Sequence, residues 1–417
     1  MKLGGGDKAN AVAEAVARSS YGKLVAFLAA RTGDVAAAED ALADAFAAAL
    51  GDWPTSGIPA KPEAWLMSVA QRRLIDASRR RRHADAVADD LRLLAAELEA
   101  AAEETGIPDH RLALMFACAH PAIDAAMHAP LMLQTILGFD AATIASAFLV
   151  APATMSQRLV RAKTKIRHAG IPFRIPEADD LRERLDAVLG AIYAVFAEGW
   201  SDPAGTEARR RNLSAEGIWL GRLVVSLLPD EPEAIGLLAL MLHAEARRGA
   251  RRDAAGDYVP LAEQEARLWD AALIGEAEAL LSRAAWFGAA GRYQLEAAVQ
   301  SAHAERRLTG GTDWEAIVQL YDALLALTNS PVVAINRAVA IAEARGARAG
   351  LAALGALSGD ARLADYQPYW AARAVLLARA DDLSGADVAY ERAIGLESDP
   401  AVRRFLQRRR EALHGTA

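Results

Sequence analysis

Residues 141–167, Ala141-Ala142-Thr143-Ile144-Ala145-Ser146-Ala147-Phe148-Leu149-Val150-Ala151-Pro152-Ala153-Thr154-Met155-Ser156-Gln157-Arg158-Leu159-Val160-Arg161-Ala162-Lys163-Thr164-Lys165-Ile166-Arg167, decide how the chain is read. Ala141 to Phe148 reads as one short helix and Ala153 to Arg167 as another, with Leu149-Val150-Ala151-Pro152 as the turn, because proline fits the first turn of a helix and not its interior. In the second helix Met155, Leu159, Ala162 and Ile166 recur at helical spacing and form a packing stripe. Arg158, Arg161 and Lys165, at i, i+3 and i+7, share a different face. Two helices on so short a turn, the second strongly basic, have the form of a helix-turn-helix. Ser156, Gln157, Arg158 and Arg161 lie near the start of the second helix, where a recognition helix meets base edges. Arginine reads guanine and glutamine reads adenine, so Gln157, Arg158 and Arg161 are assigned to bases. Lys163, Lys165 and Arg167 are assigned to phosphates. The plain alternative is a solvated cationic face.

Upstream, a helix from Val12 to about Ala30 ends at Thr32-Gly33-Asp34, and Asp34 is placed to cap the next one. There Leu42, Phe46 and Ala49 form one stripe and Glu39, Asp40 and Asp44 another, an exposed acidic face. Trp53-Pro54 through Lys61-Pro62 reads as a loop. The helix from Glu63 to about Arg82 buries Leu66, Ala70, Leu74 and Ala77. It carries Arg72, Arg73, Arg79, Arg80, Arg81 and Arg82 elsewhere. Cations at a helix end are favoured by the macrodipole alone. A second basic helix later in the chain turns the reading toward nucleic acid, with these arginines on phosphates. His83 to Ile107 is alanine-rich and acidic, with Asp85, Asp89, Asp90, Glu97, Glu99, Glu103 and Glu104, and Gly106-Ile107-Pro108 closes it as a linker.

Beyond Gly170-Ile171-Pro172 amphipathic helices run almost to the end. Trp370, Leu377, Ala386, Tyr390 and Ala393 match the large and small spacing of a tetratricopeptide repeat. Pro331 to Gly346 reads as the first helix of a preceding repeat, and Ile192 to Leu308 is helical without matching that pattern. A chain of 417 residues exceeds one hydrophobic core, and 53% hydrophobic content rich in alanine favours helices, so the fold class is all-α in several domains.

The net charge of −7 hides two cationic faces. A single cysteine, Cys118, and the absence of an apolar leader predict a cytoplasmic protein, and no run is long enough to cross a membrane. Cys118, His110, His120 and His128 lack the spacing of a common zinc site, so no metal is expected. No nucleophile elbow, phosphate-binding loop or dinucleotide fingerprint occurs, and no cofactor is expected. His243, Arg247, Arg248 and Asp257 read either as a ligand pocket or, more plainly, as repeat surface.

Residues 12–168 resemble an extracytoplasmic-function sigma factor, with its regions 2 and 4. Ala38-Glu39-Asp40-Ala41-Leu42-Ala43-Asp44-Ala45-Phe46 is similar to the helix that docks on the polymerase clamp. Pro62-Glu63-Ala64-Trp65-Leu66 and Leu74-Ile75-Asp76, ending in Arg79 to Arg82, resemble the minus-ten helix, and Ala141 to Arg167 the minus-thirty-five helix-turn-helix. Cys118-Ala119-His120-Pro121, Leu227 to Glu233, Leu237 to Met241 and Thr312-Asp313-Trp314 extend the resemblance to the subgroup with a C-terminal tetratricopeptide-like domain.

The resemblance implies region 2 at 1–83, an acidic linker at 84–108, region 4 at 109–170 and a regulatory helical domain at 171–417. It implies core RNA polymerase, met through Glu39, Asp40 and Asp44, and promoter DNA as partners, with no enzymatic chemistry, since nucleotidyl transfer belongs to the polymerase. It suggests a fused domain in place of a separate anti-sigma factor. Ala43 and Arg72 stand where many members carry glutamine and asparagine, so core affinity and minus-ten preference are expected to differ. The acidic linker and Arg209, Arg210, Arg211, Arg247 and Arg248 are complementary in charge, which predicts contact between the C-terminal domain and the sigma modules. The competing readings are a DNA-binding regulator that never engages the polymerase, and a helical-repeat scaffold.

Overall fold

The computed structural model describes residues 5–81, 109–148, 150–200, 208–288 and 290–414. Among these the chain is all-α, with no strand beyond an isolated bridge between Arg252 and Tyr258. The stretch expected as an acidic linker lies outside the described residues. The chain divides into two compact units, 1–198 and 199–417.

In the first unit α1 (Gly5–Thr32), α2 (Val35–Ser56) and α3 (Pro62–Arg81) pack around Leu24, Phe27, Leu28, Leu42, Leu66 and Ala70, all buried. Asp34 caps α2 by accepting from the Ala37 amide at 3.1 Å, as its position before the alanine run predicts. The expected loop from Trp53 is corrected: α2 continues through Trp53-Pro54 to Ser56. Pro54 removes one backbone donor near the helix end, while Trp53 is buried edge-on against Trp65, ring centroids 5.5 Å apart, and holds the last turn in place. Gly57, at φ 89°, then ends the helix by donating to the Trp53 carbonyl.

The same unit contains α4 (Arg111–Cys118), α5 (His128–Thr135), α6 (Ala141–Ala147), α7 (Pro152–His168) and α8 (Ala178–Trp200), the last belonging to it as far as Glu198. Every residue of α4 from Leu112 to Cys118 is buried, so this short helix forms the floor on which its neighbours pack. Asp140 caps α6, accepting from the amides of Ala142 and Thr143 at 2.9 Å each. The turn between α6 and α7 is closed by the Val150 amide donating to the Ala145 carbonyl.

The second unit is a succession of helices: α9 (Ala208–Leu227), α10 (Pro232–Ala246), α11 (Ala271–Ala285), α12 (Arg292–Ala304), α13 (Trp314–Thr328), α14 (Pro331–Arg345), α15 (Ala347–Gly355), α16 (Gln367–Arg379), α17 (Leu383–Leu396) and α18 (Pro400–His414). Leu237-Leu238-Ala239-Leu240-Met241 is buried on every side because α10 packs against α9, α11 and α12 at once. Gly236 allows α10 to approach the α12 backbone: a Cβ there would lie 2.7 Å from the Gln294 backbone nitrogen. Glu233 caps α12 across space, accepting from the amides of Tyr293 and Gln294 at 2.9 and 3.2 Å. At the far end Ala386, Tyr390 and Ala393 are buried, and Trp370 and Leu377 pack on their cluster. An insert between α10 and α11, with only short 3-10 turns, is tied to α18 by ion pairs of Asp257 with Arg404 and Arg408, at 2.9 and 2.6 Å, and of Glu263 with Arg409.

Candidate nucleic-acid interface

The periodicity of α7 settles which side chains are free. Met155, Leu159, Ala162 and Ile166 are buried, and the helix enters on Pro152 at its first turn. That burial rotates Ser156, Gln157, Arg158, Arg161, Lys165 and Arg167 to the exposed side. Arg158, Arg161 and Lys165 form no ion pair among the described residues. A helix with an apolar stripe on its own unit and a cationic exposed face is shaped to lie against a polyanion.

Two of the three side chains expected at phosphates are engaged instead with α2. The Lys163 ammonium donates to Glu39 Oε2 at 2.6 Å, and both side chains are only 11% exposed. Arg167 reaches Asp34 Oδ2 at 3.1 Å, the same carboxylate that caps α2. The expectation of Glu39 on an exposed acidic face is therefore corrected: it is buried, while Asp40 and Asp44 are exposed. The physical reason is legible in the spacing, because Glu39 stands four residues after Val35 and three before Leu42, both buried. Asp44 faces Arg73 on α3 at 3.8 Å, an exposed contact of little energetic weight. Arg72 and Arg73 are exposed. Arg79, Arg80 and Arg81 lie on the last turn of α3 with their side chains outside the described residues, and Arg82 is outside them altogether.

Other contacts hold α1 to the helices after residue 109. Gly22 sits so close to the chain at Ile136 that a Cβ would press on its carbonyl oxygen and lie 2.9 Å from its Cα. The Tyr21 ring covers Gly138 at φ 73°, where a Cβ would lie 3.1 Å from the ring. Phe27 and His110 pack with ring centroids 5.9 Å apart. Burial, with the charges of Glu39 and Asp40, pushes the Tyr21 phenol up. Cys118 is buried beside the Thr135 hydroxyl, 3.5 Å away, and burial pushes its thiol up to about 12, which leaves it unreactive. His120 accepts from the Ala122 amide and His128 lies 3.1 Å from the Ile123 carbonyl, so both serve local turns.

Burial raises the Glu39 carboxyl above its ordinary value, and the charge and hydrogen bond of Lys163 only partly oppose this. The folded state therefore holds this proton more tightly than the unfolded chain. Its stability contribution is fully present below the unfolded value of 4.5 and is lost as pH rises through the elevated folded value. Glu39→Gln should flatten that part of the profile of stability against pH. An unchanged slope in denaturant titrations at successive pH values would assign it to other groups.

A sigma-70 region 2 family model matches residues 16–84, which covers most of α1 together with α2 and α3. A family of unknown function, DUF6596, matches residues 184–285, from within α8 to the end of α11. An uncharacterized protein of Rhizobium meliloti (strain 1021) is 40% identical over 375 residues, covering 89% of this chain and 88% of that one. No solved structure matches.

Proposed function

This chain belongs to one family with the Rhizobium meliloti protein and carries a sigma-70 region 2 module, and from that premise we propose that it is a sigma factor that brings core RNA polymerase to its promoters. The observation that carries the reading is the order of two helical modules. The region 2 match falls on α1 to α3, and a helix-turn-helix with an exposed cationic face follows in α6 and α7. In this reading Asp40 and Asp44 meet the polymerase, with Glu39 joining them once α7 has moved away. Arg72, Arg73 and Arg79 to Arg82 hold the minus-ten strand, and Gln157, Arg158 and Arg161 read the minus-thirty-five bases beside Ser156. Lys165 holds phosphate from the outset, whereas Lys163 and Arg167 reach phosphate only after leaving Glu39 and Asp34. Promoter engagement then requires α7 to part from α2, and the C-terminal unit regulates that step.

The test is transcription in vitro from promoters bound by the purified chain with core polymerase. Arg158→Ala and Arg161→Ala should each remove about 1–3 kcal/mol of discrimination at the minus-thirty-five element. A loss uniform over all promoter sequences would make them phosphate contacts. Failure of the chain to copurify with core polymerase favours the DNA-binding regulator. A folded truncation after Glu198 that transcribes like the full chain at every salt concentration would remove the regulatory role of the C-terminal unit.

A further inference from the structure

In the second unit many surface arginines are matched to carboxylates. Arg252 pairs with Asp399 at 2.6 Å, Arg292 with Glu296 at 2.7 Å, Arg345 with Glu315 at 2.7 Å and Arg410 with Asp387 at 2.7 Å. Arg248 likewise pairs with Glu245, and Asp257 is taken by Arg404 and Arg408. Exposed Arg283, Arg348 and Arg403 have no such partner among the described residues, and neither do Arg247, Arg251 and Arg306, which are half-buried. Arg247 donates to the neutral Gln300 side chain at 2.6 Å, and Arg251 to the Trp200 carbonyl at 2.8 Å. Arg306 donates to the carbonyls of Leu261 and Gln264 at 2.9 and 2.6 Å. None of the three forms an ion pair among the described residues.

These three guanidiniums are neighbours. Arg247 and Arg306 lie over the same Trp269 ring, 6.0 and 4.7 Å from its centroid. Burial and the charges of Arg251 and Arg306 push Arg247 down to about 10, so it remains cationic at neutral pH. Burial and the charges of Arg247 and Arg306 push His303 down to about 4, leaving that imidazole neutral. A partly buried cationic cluster held by neutral groups is costly unless something neutralises it.

Beside the cluster opens a cleft of about 510 Å³, lined among others by His303, Arg306, Thr312, Trp314, Tyr321 and Asn336. This is the size of a small-molecule site, with aromatic walls at Trp314 and Tyr321 and polar side chains between them. Glu343 also lines it, but its carboxylate is taken by Arg379. Arg306 joins the cleft to the cluster, and its carbonyl contacts fix the guanidinium without neutralising it.

We infer that this cleft binds a small organic anion, whose carboxylate or phosphate group is met by Arg306 and by the charge of Arg247, with Trp314 and Tyr321 against its body. The site is separate from the DNA-facing helix and does not depend on the sigma-factor assignment. It gives the C-terminal unit a ligand.

The experiment is calorimetric titration of the full chain with inorganic phosphate and, separately, with citrate, at constant ionic strength. Saturable binding at one site is expected for at least one anion, weakened at least tenfold by Arg247→Gln and by Arg306→Gln. Arg345→Gln, which touches a surface pair outside the cleft, should leave it unchanged. Binding of phosphate alone identifies a phosphate ester as the ligand class, and of citrate alone a carboxylate. Because Arg306 also braces the turn at Leu261 to Gln264, Arg247→Gln decides the matter if Arg306→Gln unfolds. No saturable binding of either anion, or binding equally strong in folded Arg247→Gln, overturns the inference.

Discussion

Lys163→Met is expected to destabilise the N-terminal unit by about 3–5 kcal/mol, because removing one partner of a buried ion pair leaves the other charge stranded. Glu39 is the stranded group. One of its oxygens, Oε1, already lacks a hydrogen-bond partner, so the bond to Lys163 is what holds the carboxylate in its buried place. The loss should shrink in acid, since Glu39 takes up a proton more readily than an ordinary glutamate and a neutral carboxyl is cheaper to bury. Replacing both partners, Glu39→Met with Lys163→Met, should recover most of the stability, because a hydrophobic pair of similar volume often does as well as a buried ion pair. Denaturant unfolding of the four proteins measures the cycle. A Lys163→Met variant that unfolds at the wild-type midpoint would show the pair to be a surface contact of no consequence.

Gly22→Leu should cost about 3 kcal/mol or more, since overpacking against atoms that cannot yield exceeds the usual range for core enlargements. The obstacle at Gly22 is backbone, the Ile136 carbonyl, and no rotamer relieves it. Gly190 on α8 is the control. A Cβ there meets nothing within 4 Å, and Gly190→Ala in a helix interior should gain about 0.5–1 kcal/mol. The Gly22 variant also tests the proposed opening. If contact between α1, α2 and the helices after residue 109 holds the basic helix in check, loosening it releases Lys163 and Arg167 to phosphate. Binding of duplex DNA should then tighten at low salt and fall more steeply as salt rises, because each added phosphate contact releases counterion. DNA affinity and salt slope equal to wild type would mean that the pairing of Lys163 with Glu39 does not restrain α7.

What could be read from the sequence alone was what nearest neighbours decide. The stripe of Met155, Leu159, Ala162 and Ile166, the cap at Asp34 and the place of Pro152 in the first turn of the basic helix all stand in the structure where the spacing put them. Helical periodicity and capping act within one or two turns, so a short window of residues contains their cause. The end of α2 was misread because Pro54 is a local signal, while the burial of Trp53 against Trp65 that outweighs it is a tertiary one.

Pairing of charge was beyond the sequence for the same reason. Glu39 and Lys163 are 124 residues apart, and spacing along α2 shows only that Glu39 borders a buried stripe, not which cation waits there. Glu233 stands in the first turn of α10 and caps a different helix. Arg247 and Arg248 are adjacent and looked alike. The fold gives Arg248 a carboxylate at Glu245 and turns Arg247 toward Gln300, Trp269 and Arg306. The sequence by itself determined that the chain is helical and where its basic helix turns, because those are properties of consecutive residues. Only the tertiary structure decided which cations meet carboxylates and which meet neutral groups, because that depends on distances between segments that spacing along the chain does not contain.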